Sequence, residues 1–212
     1  MTTRFATLGS ASLALVLVSS FAVTPSAAQN KQGKPAAPPA APAPQKIDEE
    51  YTKLIKEYLQ DPRISTDLVD HMPASDKVPS PLKFLGRIPG KPGELTYAKD
   101  IERYYQELAR VSPRAKFWKL GQSEEGRDQV VLAIADEATL KDLDKYKTML
   151  AELGDPRKIT DEKAQEIIHK TGKPIYWINS GIHSPETGGP EMLIELAYRL
   201  IVDCLLYTSR CV

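Results

Sequence analysis

The chain has 212 residues, 28 basic and 28 acidic, so its formal net charge is zero. That length suits one domain or little more, and 42% hydrophobic against 26% charged residues excludes global disorder. Residues 1–46 hold four basic side chains and no acidic one, which leaves the remainder at a net −4 and excludes a basic field that could hold nucleic acid by counterion release. Both cysteines, Cys204 and Cys211, lie in the last nine residues, so a disulfide framework and a cysteine-based zinc ribbon are excluded as well.

The amino terminus reads as an address. Arg4 precedes an apolar run from Leu13 to Val18, and small residues at Ser26 and Ala28 suit cleavage after Ala28. The run is shorter than the ~20 apolar residues that cross a bilayer. A cleaved signal over residues 1–28 is therefore expected, with export to a periplasm or the outside and no stable membrane insertion after cleavage. Residues 29–46 are dominated by Pro and Ala and read as a semi-extended linker.

Next comes an amino-terminal helix and irregular segment, 47–95. Glu49 to Gln60 places Tyr51, Leu54, Ile55, Tyr58 and Leu59 on one helical face, and Asp61-Pro62 ends it. Pro73 to Gly93 is rich in proline and glycine and has no regular period. Thr96 can cap a second helix, Tyr97 to Val111, with Ile101, Tyr104, Tyr105 and Leu108 inward. Lys116 to Leu120 and Gln129 to Ala135 read as strands around a polar turn, Gly121 to Asp128. A charged helical hairpin follows, Leu140 to Leu153 and Asp161 to His169. Pro174 to Asn179 (PIYWIN) is short, apolar and rich in β-branched and aromatic residues, which predicts a buried strand interior to a sheet. Pro190 suits the first turn of a last helix through Val202, with Leu193, Leu196, Ala197 and Leu200 on one face. Strands alternating with helices imply an α/β sandwich with a mixed sheet.

The loop from Ser180 to Gly189 holds His183 and Glu186, three residues apart. In open α/β sheets, ligand chemistry gathers where strands end. Imidazole nitrogen and carboxylate oxygen are both good zinc ligands. Gly181 frees the backbone before the histidine, Gly188-Gly189 free it after the glutamate, and Pro185 stiffens the turn. The competing reading is a surface loop whose His and Glu merely face water. The other histidines, His71 and His169, are expected in solvated or capping roles, His169 near a helix C-terminus that favours cations.

Three stretches resemble the zinc metallocarboxypeptidases of the carboxypeptidase A-like kind, in a bacterial exported branch. Tyr105-Gln106-Glu107-Leu108 through Ser112-Pro113 resembles the opening helix. Gly121-Gln122-Ser123-Glu124-Glu125-Gly126-Arg127 resembles a Gly-x-Ser-x-Glu-Gly-Arg turn between two strands. Ile178 through Glu186 resembles a strand followed by the metal-binding His-x-x-Glu. The likeness spans about residues 96–202 and implies an α/β/α sandwich of the zinc carboxypeptidase type, incomplete in this chain. It implies that His183 and Glu186 are the first two ligands of one Zn2+ and that Arg127 lines the groove for a peptide or protein substrate. The alternative for Arg127 is a turn-stabilising ion pair with Glu124 or Glu125. Ser184-Pro185 departs from the commoner residues between the ligands, which bears on substrate preference.

A catalytic zinc takes three protein ligands and a water, and a base must move the water's proton. The resemblance implies that the third ligand and the general-base glutamate come further downstream. Only 26 residues follow Glu186 and none is a histidine, so a C-terminally truncated, inactive fragment is expected, with no catalytic base of its own. After Asp203 the chain reads Cys-Leu-Leu-Tyr-Thr-Ser. TGT CTC TTA TAC ACA TCT encodes those residues and is the transposase end sequence used to prepare sequencing libraries, which predicts a non-native tail over 204–212. A genuine helix extension is the other reading, since Leu205 and Leu206 would suit one. Two further functions compete with the peptidase: a zinc-dependent deacylase or amidase of related fold, and a non-catalytic peptide-binding module.

Overall fold

A computed structural model describes residues 45–203. The expected signal 1–28, residues 29–44 of the expected linker and the expected tail 204–212 lie outside the described residues. Among the described residues, seven α-helices and one two-stranded antiparallel sheet form a mixed α/β architecture.

Helix α1, Glu49–Tyr58, begins where the Asp48 side chain accepts the Tyr51 N–H at 3.0 Å. Acidic Glu49 and Glu50 in its first turn and Lys56 in its last complement the helix dipole. Tyr51 is fully buried, and Leu54, Ile55 and Tyr58 pack beside it. The proline-rich stretch that follows is irregular, as expected, apart from α2, Pro81–Leu85, which Ser80 caps and Gly86 closes at φ +77°.

Buried irregular backbone must find partners outside the regular ladders. Here helix side chains supply them. Tyr104 OH donates to the Pro79 carbonyl and Tyr198 OH to the Pro73 carbonyl, each at 2.9 Å. The buried Arg199 guanidinium donates to the carbonyls of His71, Leu68 and Val69 at 2.6, 3.2 and 3.3 Å, and its charge is met by Glu195 at 2.8 Å.

Helix α3, Ala98–Val111, presents the expected face: Tyr104 and Leu108 are fully buried, and Ile101 and Tyr105 pack against them. Tyr97, not Thr96, is its N-cap. Strands β1, Ala115–Gln122, and β2, Asp128–Ile134, pair antiparallel with Phe117 opposite Leu132 and Trp118 opposite Val131. The register shifts between Lys119 and Gly121, a bulge at Leu120. The connecting turn closes with Ser123 N–H to the Arg127 carbonyl at 2.8 Å, and Gly126 takes φ +74°.

The expected helix over Leu140–Leu153 is two helices, α4 at Glu137–Lys141 and α5 at Leu143–Leu153, meeting at Asp142. Helix α6, Asp161–Glu166, continues into a single π turn, Ile167–Thr171, that carries His169. Asp136 caps α4 through the Thr139 N–H at 2.8 Å and also binds Lys173 Nζ at 3.0 Å. Hydrogen bonds from the Thr139 hydroxyl and N–H, with Lys173 alongside, hold the Asp136 carboxyl down at about 2.

Two further expectations are corrected. Residues 174–179 are not a buried strand: the segment is irregular and exposed, with Tyr176 at 79% and Trp177 at 68%. A strand needs a neighbour, and among the described residues β1 and β2 pair with each other, leaving the sheet two-stranded. Helix α7, Gly188–Val202, forms where expected but turns a different face inward. Ile194, Ala197, Tyr198 and Ile201 are buried, while Leu193, Leu196 and Leu200 are only half-buried. The helix is apolar on more than one side, so periodicity alone leaves two possible stripes. The chosen stripe joins Tyr51, Met72, Val78, Ile88, Tyr104, Leu108 and Ala115 in one core.

Candidate metal site

The loop before α7 is closed at its base by two contacts. Gly181 takes φ +74°, and a Cβ placed there would stand 2.9 Å from Pro190 Cγ. A Cβ on Gly189 would overlap the Ser180 hydroxyl. Ser180-Gly181 and Gly189-Pro190 therefore pack together only because two of the four residues are glycines. Between them the chain makes a tight turn, with Glu186 N–H bonded to the His183 carbonyl and Thr187 N–H to the Pro185 carbonyl, both at 3.0 Å.

That turn brings His183 and Glu186 together. His183 Nδ1 and Glu186 Oε1 lie 2.9 Å apart, within hydrogen-bonding distance, and the two side chains are 72% and 56% exposed. Two donors of a tetrahedral zinc, each about 2.0–2.1 Å from the ion, stand about 3.3 Å apart. The pair is thus within a few tenths of an ångström of the spacing that two zinc ligands need. The donor set fits as well, one imidazole and one carboxylate. Among the described residues, no group of three or more His, Cys, Asp or Glu side chains converges on a point.

Arg127 sits elsewhere. It lies at the end of the β1–β2 turn, 78% exposed, and its guanidinium pairs with Glu125 Oε2 at 2.7 Å. His71 Nδ1 pairs with its neighbour Asp70 at 2.5 Å, and His169 Nε2 with Gln165 one turn back at 2.9 Å. Neither histidine is paired with the loop.

The zinc carboxypeptidase family model matches residues 101–204. Residues 101–204 belong to the zinc carboxypeptidase family. No curated protein and no solved structure matches the chain. The matched segment runs from α3 through the β1–β2 hairpin to α7 and contains the whole His183–Glu186 loop. Its α/β arrangement is part of a carboxypeptidase-type fold. The family is one of zinc-using hydrolases that act on peptides. No helix among the described residues is long and apolar enough to cross a membrane.

One buried carboxylate beside the loop was not legible in the sequence. Glu191, in the first turn of α7, is buried at 6% exposure. The signal that could have found it is a carboxylate directly after Pro190 in a helix that is otherwise mostly apolar. Such a group needs partners of opposite polarity wherever that face is covered.

Proposed function

We propose that the chain is the amino-terminal part of an exported zinc metallocarboxypeptidase that hydrolyses C-terminal peptide bonds. The observation that supports this most is the His183–Glu186 pair at 2.9 Å, set inside the segment matched to zinc carboxypeptidases. His183 supplies a neutral imidazole nitrogen and Glu186 a carboxylate oxygen, two of the three protein ligands that a catalytic zinc takes. When bound, the ion polarises the scissile carbonyl and makes water acidic enough to react near neutral pH.

The third ligand and the general-base glutamate come, on this reading, from outside this 212-residue chain, which alone is inactive. Metal ligands of these two kinds bind as neutral imidazole and as carboxylate. Arg127 suits contact with a substrate carboxylate, because its planar guanidinium can donate two parallel hydrogen bonds. It is exposed and would exchange Glu125 for that partner.

The test is expression of the complete native reading frame, read from source DNA across the codon for Asp203. Release of C-terminal residues from peptides is then followed with and without a chelator. Zinc-dependent release that disappears in both His183→Ala and Glu186→Gln supports the reading. Release untouched by the chelator and by both substitutions removes it, as does a native frame that ends at Asp203.

A further inference from the structure

The exposed loop that carries His183 and Glu186 touches the body of the protein through its base, where Ser180-Gly181 meets Gly189-Pro190. Its orientation is therefore inherited from the first turn of α7. From Ile194 onward that helix is fixed by the core, through Ile194, Ala197, Tyr198 and Ile201. The turn before Ile194 has a different anchor.

That anchor is Glu191. Its Oε1 accepts the Thr96 N–H at 2.5 Å, and its Oε2 accepts the Gly90 N–H at 3.2 Å. Arg87 Nη1 lies 3.7 Å from Oε2, with the two side chains 12% and 8% exposed. The same guanidinium donates through Nη2 to Thr96 Oγ1 at 2.5 Å and pairs through Nε with Glu94 at 3.2 Å. Arg87 Nη1 is fully buried and makes no hydrogen bond among the described residues, so the Glu191 carboxylate is the charge that faces it.

A buried ion pair is a poor way to add stability, because well-packed apolar residues often do as well or better. It is a good way to fix geometry. The two N–H groups come from an irregular loop with positive φ at Gly90 and Gly93, and the carboxylate can satisfy both only in one register of α7.

We infer that Glu191 is a positioning residue for the His183–Glu186 pair, acting through the loop base at Gly189-Pro190. The inference rests on the zinc reading of that pair. Glu191→Gln keeps the shape but turns an amide NH2 toward either a backbone N–H or Arg87, and the clamp loses one oxygen. Arg87→Met removes the cation from the other side and is the second variant should the first fail to fold.

The experiment is site-resolved amide exchange on the full chain, paired with zinc titration and no substrate. Glu191→Gln should speed exchange at Glu186 and Thr187 about tenfold, as expected for one lost charge-assisted hydrogen bond, and leave Ala197 to Ile201 within about twofold. Tyr198→Phe, which breaks the 2.9 Å bond to Pro73 lower on the same helix, should do the reverse. Zinc affinity should weaken about tenfold in Glu191→Gln and hold in Tyr198→Phe. Unchanged exchange at Glu186 and Thr187 in both Glu191→Gln and Arg87→Met overturns the inference. So does equal acceleration along all of α7, which is what a merely structural role gives. The exchange readout needs no metal: a wild-type chain whose zinc affinity ignores His183→Ala removes the zinc reading separately.

Discussion

Gly181 and Pro190 meet at the base of the candidate metal loop, where a Cβ on Gly181 would stand 2.9 Å from Pro190 Cγ. The φ of +74° alone costs an L-residue about 1–2 kcal/mol. The proline ring is stiff and sits in the first turn of α7, so it cannot step aside cheaply. Gly181→Ala should destabilise the chain by at least that amount in urea unfolding. It should also weaken zinc binding, since the loop must open at its base. An alanine tolerated without loss in either measurement would mean that this base does not hold the loop.

The two glycines after Glu186 should behave differently from each other. A Cβ on Gly188 meets open space, so Gly188→Ala should be neutral or stabilising by up to about 1 kcal/mol, from helix propensity alone. A Cβ on Gly189 would overlap the Ser180 hydroxyl and lie 3.0 Å from Ser180 Cβ. Gly189→Ala should therefore lose that gain, and Ser180→Gly should restore it. A double-mutant cycle checks this, with an expected coupling of about 0.5–3 kcal/mol. Additive single effects would show that the two residues do not touch.

Legibility in the sequence followed the range over which each element is decided. Helices α1 and α3 rest on local spacing, and Tyr51, Tyr104 and Leu108 fall in the core as their periodicity implies. The β1–β2 hairpin is also local, set by a polar turn with Gly126 at positive φ. Residues 174–179 show the opposite case. Their composition is that of a strand, yet pairing depends on a neighbour far away in the chain, and the described sheet stops at two strands. For α7, Leu193, Leu196 and Leu200 and the buried Ile194, Tyr198 and Ile201 are both credible stripes, and contact with α1 and α3 decides between them. The meeting of His183 and Glu186 was legible because one short turn joins them. Glu191 was not, because its partners Gly90 and Thr96 lie about a hundred residues away.

Acid should loosen the attachment of the segment that leads to the loop. Thr139 and Lys173 hold the Asp136 carboxyl at about 2, against about 3.9 for an unfolded aspartate. A carboxyl with a depressed value contributes stability that is fully present above its unfolded pKa and lost as pH falls through its folded one. The difference in unfolding free energy between wild type and Asp136→Asn should be constant above about pH 5 and shrink from about pH 4 toward 2. A difference that does not change over that window would mean that Asp136 is not ionised in this contact.

Alkali should act on the core through its phenols. Burial pushes Tyr105 up to about 12, and burial pushes Tyr51, Tyr104 and Tyr198 higher still, Tyr51 with added repulsion from Glu195. An unfolded tyrosine loses its proton near about pH 10. Above that point the unfolded chain binds fewer protons than the folded one, so stability falls as pH rises. The slope is about 1.4 kcal/mol per pH unit for each tyrosine so held. Urea unfolding from pH 8 to 12 should show a plateau to about pH 9.5 and then a steep loss, with these phenols ionising only as the core opens. Tyr105→Phe removes one group from that balance and should make the loss shallower. Early ionisation of all the phenols near pH 10, with the helices intact, would place Tyr51, Tyr104 and Tyr198 in contact with water and contradict the packing of α1, α3 and α7.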